Sequence, residues 1–336
     1  MRPALPLVLT LAVLAVGAGA GQAGLPQARA TVKLHVLEIA SVNDLRDFFR
    51  YDPDGPPLLT AHRGGAKEGF PENAIETFEN TLRHTWSNIE VDPRYTKDDV
   101  AVLFHDETLE RTSNGAGRVR DHTYEELRRL RLKDTRGALT DSRIPTLDSA
   151  LDWAKGKTIL FLDNKDVDVL ERARRIQARD ARAWAVVMAY SFADARRVYD
   201  FDPQIMMQVF LPDADAVARF DASGIPWENI IGFVTHAEPR GFEVFGLIAR
   251  RRAMAVLGTS RTIDRAYRTG AIAKDEMLAR YRASLRAGAH IVEADLPIEA
   301  GHALEPARAA ASGKRRYFHT RDVAKFRAAD VARHTP

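Results

Sequence analysis

Nine short apolar runs, most of them separated by helical spacing, leave this chain few folds to choose from. The first is Leu58-Leu59-Thr60-Ala61, followed by His62, Arg63 and two glycines; the others lie near 88–92, 100–104, 158–163, 184–188, 205–209, 230–234, 254–257 and 290–293. Apolar runs of this length bounded by turn residues read as buried strands. Ala74, Ile75, Phe78 and Leu82 then recur at helical spacing, as do apolar residues over 146–155, 166–180, 192–200, 213–221, 241–251 and 274–287. Strand and helix in alternation predict parallel β-structure with helices outside it. Nine strands are one more than a closed eight-stranded barrel needs. The seven residues between Asp92 and Val100 are too few for a parallel crossover, so one of that pair is a hairpin partner or an extension. The expected fold is therefore α/β, a (β/α)8 barrel over 58–336. An open doubly wound sheet is the alternative, but no glycine-rich dinucleotide fingerprint follows the first strand.

Three stretches stand outside that alternation. Residues 106–145 carry Arg111-Thr112-Ser113-Asn114-Gly115-Ala116-Gly117 and a charged helical pattern at 123–132, and read as a small insertion over the barrel mouth after the strand that ends in His105. Residues 31–57 end in Asp52-Pro53-Asp54-Gly55-Pro56-Pro57 and are read as a lead-in without assigned structure. From Lys314 to Pro336 there are seven Lys or Arg and two Asp, read as a solvated helix face and tail. Within the first βα unit, Asn73 is expected to cap the following helix, with Glu76 reaching back as in a capping box.

The N-terminus bears on location. Arg2, an apolar run from Leu5 to Val16, and Ala28-Arg29-Ala30 have the order of a cleaved export signal over residues 1–30, with cleavage after Ala20 or an uncleaved anchor as alternatives. The chain contains no cysteine, which excludes disulfides and a lipid-anchored cysteine. The expectation is a periplasmic or secreted protein without a stable membrane span after cleavage. Without Arg2 and Arg29, the 49 Lys and Arg fall to 47 against 46 Asp and Glu, a balance that argues against a nucleic-acid binder.

Chemistry gathers at the strand ends. Glu90 and Asp92 are two apart on a strand and leave the same face. Paired carboxylates are costly to bury without a cation, and with only oxygen ligands on offer a hard divalent ion fits best; two unrelated acids at an exposed strand end are the bland alternative. Asp163 and Lys165 repeat the spacing and read either as a further metal ligand with a lysine for an anionic substrate, or as a local ion pair. His62 and His105 each follow an apolar strand and read as packed or capping residues or, beside an acidic cluster, as an acid/base pair. Arg63 offers a planar fork suited to phosphate oxygens, or to a structural ion pair.

Taken in order, His62-Arg63-Gly64, Pro71-Glu72-Asn73, Glu90-x-Asp92, His105-Asp106, Arg111-Thr112-Ser113-Asn114-Gly115, Ile144-Pro145-Thr146-Leu147 and the acid-x-Lys at 163–165 resemble the glycerophosphodiester phosphodiesterase family. The closing segment Val292-Glu293-Ala294-Asp295-Leu296-Pro297 is similar to that family's in part. The resemblance implies a TIM barrel and one divalent metal ion, Ca2+ or Mg2+, held by Glu90, Asp92 and Asp163. It also implies His62 and His105 as the acid/base pair, Arg63 and Lys165 on the phosphate, and a small-molecule glycerophosphodiester as substrate. Two positions depart from the family pattern, Ala74 in place of Thr and Asp163 in place of Glu, the second withdrawing a carboxylate by about 1.5 Å. Two other activities share these residues. One is hydrolysis of lysophospholipid or phosphoinositol-type lipids, for which Leu127, Leu130 and Leu132 of the insertion would supply an apolar patch unless they form its own small core. The other is capture of a phosphorylated headgroup with little turnover.

Overall fold

In the computed structural model, which describes residues 31–237, 242–311 and 313–324, twelve strands run in chain order. They are β1 (Thr31–Leu37), β2 (Leu58–Ala61), β3 (Asn88–Val91), β4 (Pro93–Tyr95), β5 (Ala101–Leu103) and β6 (Leu160–Leu162), then β7 (Ala185–Ala189), β8 (Met206–Phe210), β9 (Ile230–Thr235), β10 (Ala255–Gly258), β11 (Ile291–Ala294) and β12 (Phe318–Ala324). Eight of them close a parallel barrel in the order β2-β3-β6-β7-β8-β9-β10-β11, with β11 returning to β2 in the register Ile291 to Leu58 through Ala294 to Ala61. The expected (β/α)8 barrel is thus the observed fold. Its strands are buried except at the ends of β8 and β9, where Phe210 is exposed and Thr235 partly so, as expected of parallel strands covered by helices. The surplus strand is resolved as a hairpin: β5 pairs antiparallel with β4, which directly extends β3.

The insertion after β5 folds around a core of its own. Leu127 and Leu132 are each 1% exposed and pack with Val102, Phe104, Leu109 and Tyr124, while Leu130 lies partly buried against them. These leucines therefore serve the insertion and leave no apolar patch of their own beside the mouth. The charged pattern at 123–132 becomes one short helix, Tyr124–Leu127, held by a Thr123/Glu126 capping box.

Two expectations are corrected at the chain's ends. Residues 31–57 are structured: β1 is followed by a helix at Val42–Phe49, capped by Ser41 and presenting Leu45, Phe48 and Phe49 on one face. Phe49 meets Phe161 of β6 edge-on at 5.8 Å, and Tyr51 N donates to Arg252 O just before β10, so this helix closes the end of the barrel where the strands begin. Part of the basic stretch after Lys314 is likewise a strand, β12, antiparallel to β1 from Thr31 with Ala324 to Leu37 with Phe318. Lys314 donates to Phe48 O at 2.9 Å, tying the two ends of the described chain together. Residues 325–336, and residues 1–30 read as an export signal, lie outside the described residues. No helix among the described residues is long and apolar enough to cross a membrane.

Candidate active site

The ends of β2, β3 and β6, neighbours in the barrel, bring His62, Glu90, Asp92 and Asp163 together where parallel strands point their C-termini, and His105 follows β5 of the adjoining hairpin. After β2 the chain makes a tight turn over His62–Gly64 in which Arg63 has φ 51°. Gly64 is required there: a Cβ at this position, φ +83°, would stand 2.3 Å from the Phe78 ring. The turn presents the Arg63 backbone N–H to Glu90 Oε2 at 2.7 Å and leaves His62 Nε2 at 4.0 Å from the same oxygen.

Glu90, Asp92 and Asp163 are all buried, and one carboxylate oxygen from each lies within 4.8 Å of the others. Oxygens bound to one ion at about 2.3–2.6 Å can be at most about 5 Å apart, so these residues fit a single hard divalent cation. The shorter Asp163 side chain reaches the cluster all the same, its backbone N–H bonded to Val91 O at 2.9 Å. Lys165 Nζ sits 2.9 Å from Asp92 Oδ1 and also pairs with Asp163, while Arg63 Nε lies 3.7 Å from Asp92 Oδ2. Burial, with the neighbouring Asp92, pushes Glu90 well above the usual carboxylate range. Burial acts the same way on Asp92, but Lys165 and Arg63 outweigh it and hold that group below its usual value.

Each histidine is aimed by a carboxylate. His62 Nδ1 meets Asp295 Oδ1 at 2.5 Å, and His105 Nδ1 meets Asp106 Oδ1 at 2.7 Å. An Nδ1–H donated to carboxylate fixes the tautomer and turns Nε2 toward the site. Burial opposes charge on His62, yet the Asp295 bond and the Glu90 field raise that ring to about 10. At His105 burial prevails over the field of Asp92, and the ring falls below its ordinary value. Asp106 and Asp295 are themselves held, Asp106 by Arg111 at 2.5 Å and Asp295 by Arg268 at 2.5 Å. Arg111 also clamps both oxygens of Glu72, at 2.9 and 2.7 Å, and Glu72 accepts from Arg63 at 3.2 Å. A polar cleft of about 880 Å³ opens beside His62, lined by Arg63, Glu72, Arg111, Arg136 and Arg268.

Several participants were beyond the reach of sequence spacing. Asn73, expected to cap the next helix, does not: Ala74 occupies the cap position, and Asn73 stands in the left-handed region at φ 57°. Its side chain bridges Asp92 instead, Nδ2 donating to Oδ2 at 2.6 Å and Oδ1 accepting from the Asp92 N–H at 3.0 Å. The Tyr190 hydroxyl, just past β7, donates to Asp163. Glu293 on β11 is buried with Oε2 unpaired, and burial pushes it up to about 7. Asp106 had a local signal in its adjacency to His105, and Asp295 and Glu293 lay in the closing segment that resembles the family's in part; their contacts, and that of Tyr190, arrive through strand order.

The sequence profile of the glycerophosphoryl diester phosphodiesterase family matches residues 62–266. The chain belongs to this family. The match spans β2's terminal turn through the helix after β10, while β11 and the β1/β12 pair lie beyond it. Among solved structures, a family member from Parabacteroides distasonis is 41% identical with a TM-score of 0.82, over 86% of this chain and all of that one. A phosphodiesterase from Oleispira antarctica, solved with the product sn-glycerol-3-phosphate, shares the fold at 18% identity and a TM-score of 0.54, over 74% of this chain and 97% of that one. The glycerophosphodiester phosphodiesterase of Caldanaerobacter subterraneus is 39% identical over 104 residues, 31% of this chain and 42% of that protein. Mouse glycerophosphodiester phosphodiesterase 1 is 36% identical over 109 residues, 31% of this chain and 33% of that protein. The chain thus spans about a third to two fifths of the length of these curated relatives.

Proposed function

We propose that this chain hydrolyses glycerophosphodiesters to glycerol 3-phosphate and an alcohol, using a divalent ion, Ca2+ or Mg2+, together with His62 and His105. The observation that carries the reading is the buried triad of Glu90, Asp92 and Asp163 with two carboxylate-backed imidazoles near it, His62 beside Glu90 and His105 within the field of Asp92. An ion held by the triad supplies Lewis-acid polarisation of a phosphoryl oxygen. Arg63, with a planar fork, and Lys165, a point charge, lie beside the same carboxylates and suit the remaining phosphate oxygens. One imidazole Nε2 accepts the proton of the attacking water, and the other donates a proton to the departing alkoxide. The P–O bond to water oxygen forms as the P–O bond to the alcohol breaks. The product bound to the Oleispira neighbour is the one expected here.

Export belongs to the same proposal, on the strength of Arg2, the apolar stretch Leu5–Val16 and Ala28-Arg29-Ala30. N-terminal sequencing of the protein from fractionated cells tests it; an intact Met1 in the cytoplasm refutes it. The activity is tested by incubating purified protein with glycerophosphocholine, glycerophosphoethanolamine and glycerophosphoinositol after chelation, then restoring Ca2+ or Mg2+. Metal-restored release of glycerol 3-phosphate is expected. Folded protein that releases none with either ion refutes the reading.

A further inference from the structure

On the side of the triad away from the polar cleft, a second recess of about 240 Å³ is lined by Tyr190, Gln208, Phe210, Phe233, His236 and Arg261 among others. It adjoins the site through Tyr190, whose ring lines the recess while its hydroxyl bonds Asp163. Tyr190 and Phe210 are 55% and 42% exposed, large fractions for aromatic side chains with no protein surface over them. Phe210 and Phe233 stand 6.2 Å apart, and the Phe233 ring meets His236 at 4.6 Å. Gly258 makes room for that histidine, since a Cβ there would come within 2.2 Å of Nδ1. Gln208 is only 3% exposed, and its Oε1 has no hydrogen-bond partner. A buried amide oxygen left unpaired is destabilising unless a ligand donates to it.

Resting on the phosphodiesterase reading above, we propose that this recess receives the alcohol arm of the diester and selects a neutral, polyhydroxylated alcohol over a cationic amino alcohol, with Gln208 reading a hydroxyl. A diester has two arms, and the recess and the polar cleft beside His62 and Arg63 offer them two different linings, one aromatic and one charged. Aromatic faces suit the C–H surface of a polyol and also attract quaternary ammonium groups. Charge decides between them: among the described residues none that lines the recess carries a carboxylate, and Arg261 at the rim has no acidic partner. A cationic headgroup would meet the Arg261 guanidinium and leave Gln208 Oε1 unpaired if its nitrogen is fully methylated. The volume equals roughly eight water-sized groups at ~30 Å³ each, room for a cyclitol headgroup and too little for a long acyl chain.

The test is the ratio of kcat/KM for glycerophosphoinositol to that for glycerophosphocholine, with glycerophosphoethanolamine as a second cationic substrate. The parent is expected to favour the polyol by about tenfold or more, the scale of one discriminating hydrogen bond. In Gln208→Met the ratio should collapse toward one, and Arg261→Glu, at an exposed position, should shift it toward both cationic substrates. A parent ratio at or below one, or a ratio unmoved in both variants, overturns the proposal. Thermal melting checks that Gln208→Met is folded; if it is not, Arg261→Glu alone decides. Failure of all three diesters to react would refute the phosphodiesterase reading itself, and saturation-transfer NMR with free myo-inositol and choline then decides the recess. Choline signal gained in Arg261→Glu supports it, and equal or stronger choline signal in the parent overturns it.

Discussion

Replacing Asn73 tests whether the site is held by its own hydrogen bonds or by the metal alone. Asn73 is 1% exposed and makes two bonds to one partner: its amide donates to the Asp92 carboxylate at 2.6 Å, and its carbonyl accepts from the Asp92 N–H at 3.0 Å. Asn73→Gly removes both bonds while keeping the left-handed backbone accessible. The charge-assisted bond contributes ~1.5–3 kcal/mol, and an orphaned buried N–H costs ~1–3 kcal/mol, so a loss of ~3–5 kcal/mol is expected. Asn73→Ala loses the same bonds and must also hold a Cβ at φ 57°, a strain of ~1–2 kcal/mol partly offset by its stiffer unfolded chain, leaving it about 1 kcal/mol below the glycine variant. Urea unfolding in the presence of chelator measures both steps without contribution from bound ion. Turnover with metal restored should fall by about 10²-fold, because Asp92 is then free to swing out of line. A glycine variant within ~0.5 kcal/mol of the parent, or an alanine variant as stable as the glycine one, would refute the reasoning.

Three further outcomes follow from the same structure. His62→Ala and His105→Ala should each lower kcat by at least ~10²-fold with the far-UV and near-UV spectra intact, and near-parent rates in either would remove that ring from the chemistry. Arg172 is buried and donates to the carbonyls of Val167, Leu162 and Met188 at 3.1, 2.7 and 2.9 Å, so Arg172→Met, which orphans those acceptors, should lower stability by ~3 kcal/mol in urea unfolding. His290 accepts the Ala255 N–H at 2.9 Å, and burial lowers it to about 4. Its folded value lies below the ~6.5 of an unfolded chain, so its neutral form stabilises the fold above that pH and the contribution is lost as pH falls toward 4. By pH 5 the loss amounts to ~2 kcal/mol, which His290→Asn should abolish; equal acid sensitivity in parent and variant would contradict it.

The parts of this protein that were legible in its sequence are those whose signals are local. Apolar runs, helical spacing and the seven-residue gap at 93–99 require no knowledge of distant partners, and they led to the barrel and its hairpin. The acids and bases were legible because each stands at the end of such a run: the acids and His62 where parallel strands discharge their side chains into one mouth, and His105 just past the hairpin strand β5. What escaped depends on contacts between distant stretches. β1 alternates polar and apolar residues, but its partner β12 comes from the far end of the described chain. Helix Val42–Phe49 has a regular cap and apolar face, yet only the open base of a closed barrel gives that face something to cover. Asn73 is the instructive case, because Asn before an apolar helical pattern is a sound capping signal. Here the left-handed backbone turns its amide away from the helix, and a buried carboxylate competes successfully for it.

Closure of the barrel explains why the candidate site residues could be named before their supports. His62 follows β2 and Asp295 follows β11, and these strands lie at opposite ends of the barrel sequence but pair along the seam that shuts it. The bond between His62 and Asp295 therefore exists only when the seam is formed, whereas His105 finds Asp106 one residue away. Orientation of the two imidazoles thus rests on different levels of structure, one tertiary and one local. Tyr51, just after the helix at Val42–Phe49, strengthens the first of these indirectly, because Leu58 N bonds His290 O at the start of the seam, where the Tyr51 ring meets His290 at 4.5 Å. A segment with a weak sequence signal accordingly braces the base of the strand pair on which the orientation of His62 depends.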